Sequence, residues 1–444
     1  MNKMKQILLF LIVSALSLST FTACAKSEQV GVQEATLPTV WLEGEQPPKL
    51  QPSDITVSIA DYGFSLGNNI DVCSVFADDT NNISGGCFNY SELSRRAGMN
   101  IDIHGYTTEN RILKILAQDS DIDIYIINGS EIKTLLDNKI FEPIDSDIVA
   151  HYVSKTFSSV QEICTDDDGN IIMMPLSHAV MPLLVPKKAV EELDLKPEQI
   201  EYYDDFLDYL RSYDGHRLSY GVEYFLFNCV ESQYHYYHCD LPNGVFDYDN
   251  ESFRKLYEST LGSYVTDENG YYVPSHSLPI GRDTFDVDNN LFSMIQMVYF
   301  INRNDPELTA KRFDEFVLYP MPKYDEKITG SVATGAQFAY INPYSKNKES
   351  ALKLLETISE NYFDILNTNM MYTVFSDLSM YPEEIDTNAQ LFRDYIEMAE
   401  NSEILLYSED FSVTVINDDY KNKRITLDEA IAERTRVVNI MLNE

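Results

Sequence analysis

Hydrophobic and polar positions alternate with period two over Ile55-Thr56-Val57-Ser58-Ile59-Ala60, and the β-branching there predicts a first strand. Residues 61–86 then lose all periodicity and fill with Asn, Asp and Gly, the composition of a long loop or insertion. A strand follows over 100–104, then a helix over 107–117 with Ile112, Leu113 and Leu116 on one face. The run DIDIYIIN, 121–128, reads as a buried strand that stops at Asn128-Gly129-Ser130, and a second helix runs from Glu131 to Asn138. Strand, helix, strand, helix with short connections predicts a parallel sheet covered by helices. In such sheets ligands bind beyond the carboxyl ends of strands, which singles out the loop 128–130.

Further on, Asp168-Gly169 is a hairpin turn signal, with strands expected over 171–175 and 180–185 and a helix over 187–193. Residues 203–213 form an amphipathic helix with Tyr203, Phe206, Leu207, Leu210 and Tyr213 inward. Aromatics crowd 218–300, where helices are expected, with hairpin chemistry at Asn269-Gly270. Strands are expected over 315–320 and 338–341. Ser345 is read as the cap of a helix that buries Ala351, Leu354, Leu355 and Ile358. Near the end of the chain, Thr426 and Glu429 form a capping box ahead of a stripe of Ile431, Val438 and Met441. There is no internal repeat.

The amino-terminal segment differs in kind. Lys3 and Lys5 precede an apolar run, Ile7 to Leu18, with small residues just before Cys24, the pattern of a secretory signal. The run is shorter than the about 20 apolar residues of a spanning helix. Ala23-Cys24-Ala25 also fits ordinary cleavage at an A-x-A site. Residues 25–54 carry Pro38, Pro47, Pro48 and Pro52 and read as a semi-extended tether, with the only tryptophan, Trp41, inside it. A length of 444 residues predicts two or three domains. The formal charge of −38 argues against nucleic acid and anionic lipid headgroups, which both demand basic patches. Export permits disulfides, and Cys73/Cys87 and Cys229/Cys239 are short-loop pairings that the sequence leaves open, with Cys164 the odd thiol.

Catalytic signatures are absent: the chain has no G-x-S-x-G, H-E-x-x-H, P-loop or G-x-G-x-x-G. The Asp-rich turns at Asp166 and Asp286 lack the ligand pattern of a calcium loop and are read as turns, so no metal is expected. His235, His238 and Cys239 lie close enough to share a metal, but without a second cluster they read as part of an aromatic helix, 234–237, packed on a core or lining a cleft.

Phe21-Thr22-Ala23-Cys24 resembles the lipobox of bacterial lipoproteins, with Phe21 in place of the usual leucine. Behind it, AQDSDIDIYIIN, IIMMPLSHAVMPLLVPKKAVEELDL, YYDDFLDYLRSYDG and VLYPMPKYDEKITGSVATGAQFAYINPYSKNKESALKLLETIS follow in an order similar to that of the extracellular solute-binding protein family (family 1) of bacterial ABC importers. The resemblance runs from about residue 55 to the end. It departs at Met173, where the family has glycine, and at 61–86, where the family often places ligand contacts.

That resemblance implies an α/β, two-lobed, periplasmic-binding-protein-like fold of the class II type, with crossing hinge strands and a cleft that closes on a solute. It implies a signal peptide over 1–23, a tether over 24–54, a first lobe of 55–178 plus 342–378, and a second of 179–341 plus 379–444. Cys24 is then the lipidated residue, anchoring the chain to the outer face of the bacterial cytoplasmic membrane. The implied partners are a small solute, with a sugar favoured and a peptide or cation open, and the ABC permease subunits that receive it. No cofactor and no catalysis are implied. Expected solute contacts are Asp61, Tyr62, Asn128, Ser130, Ser177 and His178 from the first lobe, and Tyr224, Tyr234 and Gln337 from the second. The competing readings are a surface glycan hydrolase, which requires a carboxylate pair about 5–9.5 Å apart, and a solute sensor or adhesin without a transporter.

Overall fold

The computed structural model describes residues 54–61, 72–75, 84–85, 88–106, 108–212, 217–240, 244–262, 264–266, 272–274, 280–281, 285–294, 300–303, 305–333, 335–366, 373–404 and 411–443. Two large sheets organise two lobes; one core lies on the first sheet and continues onto Leu184, Phe316 and Leu318 of the second, and another lies within the second lobe.

The first sheet has six strands in the spatial order Val72–Val75, Asn100–His104, Thr56–Asp61, Ile124–Asn128, Gly335–Ile341, Met174–Ala179. Its central strands are parallel, as the alternation of strand and helix predicts: Thr56–Asp61 runs alongside both Asn100–His104 and Ile124–Asn128. Two strands are antiparallel to them. Val72–Val75 extends the edge, so the stretch read as a loop contributes a strand. Gly335–Ile341 inserts between Ile124–Asn128 and Met174–Ala179. Helices Tyr90–Ala97 and Lys348–Asn361 lie close to each other, and Tyr90 reaches Asp61 while Ser359 reaches Met174.

The second sheet runs Ile280–Gly281, Arg217–Ser219, Asn290–Met294, Leu183–Pro186, Phe316–Tyr319. Helices Tyr203–Ser212 and Tyr220–His238 contribute Phe206, Leu207, Val230 and Tyr234 to the core on it. Tyr264–Thr266 and Tyr272–Pro274 form an antiparallel pair; the expected turn Asn269-Gly270 between them lies outside the described residues.

Sheet membership departs from the expected lobe boundaries in one place: Gly335–Ile341 belongs to the first sheet. Leu391, Phe392, Tyr395, Ala399 and Ile404 join a core that also takes in Leu184, Phe316 and Leu318 of the second sheet, and the helix Gln390–Glu400 lies against the strand Phe316–Tyr319. The helices Phe411–Lys421 and Leu427–Asn443 pack in the second core through Ile416, Ala430, Ile431 and Val438.

Three local expectations are also corrected. The strands expected over 171–175 and 180–185 are observed at Met174–Ala179 and Leu183–Pro186. Pro175 does not end the first of them, because this is an edge strand with a bulge, where a missing N–H costs no ladder bond. Ser345 is not the helix cap. Asn347 holds that position, and Ser345 Oγ donates instead to buried Asp123 Oδ1 at 2.5 Å. Cys229 and Cys239 are free thiols, as is Cys164. Cys229 sits in the helix Tyr220–His238 and Cys239 directly follows it. At a rise of 1.5 Å per residue they stand roughly 15 Å apart, beyond the about 7 Å Cα reach of a disulfide. Cys87 lies outside the described residues. Among the described residues no helix is long and apolar enough to cross a membrane.

Candidate functional site

The edge of the first sheet at which its parallel strands end gathers polar side chains into a row, to which the antiparallel strand Gly335–Ile341 contributes from near its amino end. Asn128 closes its strand and is paired in register with Gln337, which is paired in turn with Ser177 on the other side. Directly paired residues on neighbouring strands point to the same face at a spacing of about 4.8 Å. Two amides and a hydroxyl therefore stand side by side. Asp61 lies on the same face, one row lower, because it pairs with Ile126.

A bulge sets the end of this row. The register shifts between Gln337 and Phe338, so Leu176 is the extra residue that brings Ser177 level with Gln337. The bulge is tied from outside by two tyrosines: Tyr152 donates to the Pro175 carbonyl at 2.9 Å, and Tyr362 donates to the Leu176 carbonyl.

Beneath Asn128 lies a fully buried ion pair. The predicted loop 128–130 is in fact the start of the helix Gly129–Asp137, with Glu131 in its first turn. Glu131 accepts the Asn128 N–H at 2.9 Å and receives Arg111 on both oxygens, Nε at 2.8 Å among them. Arg111 and Glu131 are both 0% exposed. Burial pushes the Glu131 carboxyl upward, against the pull of Arg111. The pair fixes the backbone where the strand turns into the helix, and so fixes Asn128. A further polar group stands on the opposite face at the end of Asn100–His104. His104 and Tyr106 rings stack at 5.9 Å, and Lys114 Nζ lies 5.2 Å over the Tyr106 ring while paired to Asp119 at 2.6 Å.

The expected contact residues meet different fates. Asn128 and Gln337 are half-buried at the rim, and Ser177 is 5% exposed beside them. Asp61 is buried and its carboxylate accepts the Tyr90 hydroxyl. Tyr62 lies outside the described residues, as do the side chains of Ser130 and Tyr224. Tyr234 is in the second core: its ring lies 4.7 Å from Phe253 and 5.3 Å from His238, and its hydroxyl donates to the Asp247 carbonyl. No face of that ring is left for a solute.

His178 is also buried, at the point where the chain leaves the first sheet. Its N–H donates to the Thr373 carbonyl at 2.9 Å, and its ring lies 5.0 Å from Phe157. Ser402 Oγ spends its proton on the Ala399 carbonyl, so the 2.9 Å contact with His178 Nε2 assigns that nitrogen as the donor. Nδ1 then carries a lone pair with no partner. Burial lowers the His178 pKa to about 4.

The aspartate turns and the histidine cluster serve structure. Asp166 accepts the N–H groups of Asp168 and Asn170, and Asp286 those of Asp288 and Asn289. His235 bonds Tyr248 at 3.0 Å and His238 faces Asp325 at 2.7 Å. Among the described residues no group of three or more His, Cys, Asp or Glu could hold a metal ion.

No protein-family model matches the chain, and no curated protein matches it in sequence. Solved structures do match in shape. The sugar-binding protein MalE of Xanthomonas citri superposes with a TM-score of 0.54 at 13% identity, over 87% of this chain and 97% of its own. Maltose-bound MalE3 of T. maritima gives 0.55 at 12%, over 87% and 100%. The maltose-maltodextrin binding protein of Alicyclobacillus acidocaldarius gives 0.51 at 10%, over 86% and 100%. At such identities the likeness speaks for the fold, and the fold is the two-lobed, periplasmic-binding-protein-like α/β architecture.

Proposed function

We propose that this chain is an extracytoplasmic solute receptor. It captures a carbohydrate between its lobes, passes it to a membrane ABC permease, and is held at the membrane by a lipid on Cys24. The observation that carries the reading is the row Asn128, Gln337 and Ser177 at the edge of the first sheet where its parallel strands end. Each amide offers donors and an acceptor, which suits the paired donor and acceptor character of sugar hydroxyls. The helix-backed sheet behind the row is rigid, so the groups are placed before the solute arrives. The printed names of the structural neighbours, sugar-binding and maltose-maltodextrin binding proteins, support the same cargo class. In this reading the lobes follow sheet membership, with 335–341 in the first. Asp61 and His178 support the rim from beneath, and Tyr234 supports the second lobe.

A thermal-shift panel of maltose, maltotriose, longer glucans, other oligosaccharides, peptides and polyamines tests the proposal. A solute bound by the folded chain alone raises the melting temperature in proportion to RT ln(1 + [L]/Kd). An oligosaccharide that stabilises the native chain and fails to stabilise the Asn128→Ala, Gln337→Ala double variant supports it. Stabilisation by a peptide or polyamine alone would replace the cargo, and no stabilisation by any member would overturn the receptor reading.

A further inference from the structure

The joint between the lobes is built asymmetrically. Ser331–Ala333, where the chain passes from the second sheet to the first, pairs there as a parallel strand with Ser402–Ile404. Just before them the segments touch backbone to backbone: a Cβ on Gly330 would stand 2.5 Å from the Asn401 carbonyl oxygen. On the first-lobe side Ser402 is held by buried His178. On the second-lobe side the contact is the far end of the helix Tyr220–His238. That helix starts directly after the strand Arg217–Ser219, and 19 residues carry it roughly 27 Å to the joint. There the rings of Tyr236 and Tyr237 stand 4.9 Å apart at 69°. Tyr236 donates to Glu403 Oε2 at 2.7 Å, and the Tyr237 hydroxyl lies 3.3 Å from Thr329 Oγ1.

The two sides differ in what can replace them. Breaking His178–Ser402 leaves two buried polar groups without water. Tyr236 is 38% exposed, so water can satisfy both its hydroxyl and the Glu403 carboxylate when their bond opens. We propose that the Tyr236–Tyr237 end of this helix is a reversible clamp on the paired strands at the joint, and that opening of the Tyr236–Glu403 bond loosens those strands and frees the second lobe to move. The clamp rests on the two-lobed arrangement alone. Its test contains no solute, so its failure is distinct from failure of the carbohydrate reading.

The test is hydrogen exchange by mass spectrometry on the full chain, comparing native protein with Tyr236→Phe, Glu403→Ala and Glu403→Gln. Tyr236→Phe and Glu403→Ala are expected to speed exchange at 331–333 and 402–404 by roughly three- to tenfold, the factor for one partly solvated hydrogen bond to a carboxylate. Exchange at 124–128 and 290–294 stays at the native rate. Glu403→Gln keeps an acceptor for the tyrosine hydroxyl and is expected to match the native protein. Native rates at the joint in Tyr236→Phe, equal acceleration in Glu403→Gln, or acceleration spread through both cores would each overturn the clamp.

Discussion

Among the described residues each lobe buries an arginine–glutamate pair, Arg111–Glu131 in the first and Arg434–Glu231 in the second. The first joins residues 20 apart in sequence, across two consecutive helices. It also takes in the Asn128 N–H and, through Arg111, the Tyr106 carbonyl at 3.3 Å. The second joins residues 203 apart and ties the last helix to the helix Tyr220–His238. Its guanidinium lies 5.0, 5.5 and 5.8 Å from the ring centroids of Tyr248, Phe253 and Tyr257, with Asn417 Oδ1 at 3.3 Å. A buried pair is expensive to desolvate and holds only when further groups satisfy it. In the first lobe those groups are backbone, so the pair sets strand and helix geometry under the candidate site. In the second they are ring faces and the Asn417 amide oxygen, so the pair ties helices distant in sequence to each other.

The sharpest way to break this contrast is to remove each arginine. Arg111→Ala and Arg434→Ala each leave a buried carboxylate alone and are expected to cost about 3–5 kcal/mol in urea unfolding. They part company in solute binding. The Arg434 variant, once folded, keeps native affinity for any oligosaccharide that stabilises the chain, whereas the Arg111 variant loses affinity because Asn128 is no longer fixed. Arg434→Met is expected to recover part of the stability, since the ring cage suits an apolar chain, and Arg111→Met is not.

The next effect lies between the lobes. The folded state holds His178 neutral, with its pKa lowered by burial to about 4 against an ordinary 6.5. Between those values the unfolded chain binds the extra proton and the folded chain does not. This contribution is complete above pH 6.5 and is lost as the pH falls toward 4, up to roughly 3 kcal/mol. Unfolding measured across that window should show the slope in the native protein, and His178→Gln should flatten it.

Gly330→Ala should cost about 1–3 kcal/mol, because its Cβ meets a backbone oxygen that has no side-chain freedom to yield. Calorimetry that separated the lobes would show the loss at the joint rather than in either core. The smallest effect is Thr426→Ala. Thr426 and Glu429 form the expected capping box on the helix that carries Arg434, with Glu429 Oε2 accepting the Thr426 N–H at 2.8 Å. Its loss should cost about 1 kcal/mol and weaken the second lobe alone.

These two pairs also mark the reach of the sequence. Short-range chemistry was legible: the capping box, the helix Lys187–Leu193, the strand Asn100–His104, and the buried face Ala351, Leu354, Leu355 and Ile358 all stand where the pattern puts them. Asn128 was legible too, because a buried strand ending in polar residues marks a carboxyl end. Partners brought from afar were not. Arginines and glutamates read as surface residues, and nothing near Arg434 in the chain announces Glu231. The place of Gly335–Ile341 in the first sheet has the same cause, since its pairing with Ile124–Asn128 spans some two hundred residues. Tyr234 and His178 were singled out by residue type, but a polar aromatic in a core looks like one in a cleft until its hydrogen bonds are known.

The central claim is that a carbohydrate is held at the rim formed by Asn128, Gln337 and Ser177. Isothermal titration of the best stabilising oligosaccharide into native, Asn128→Ala and Gln337→Ala proteins addresses it directly. Loss of one buried hydrogen bond to the solute predicts roughly tenfold weaker binding for each single variant, with the melting temperature of the free protein little changed. Native affinity in both variants would contradict the account, and so would a solute that binds with the rim deleted.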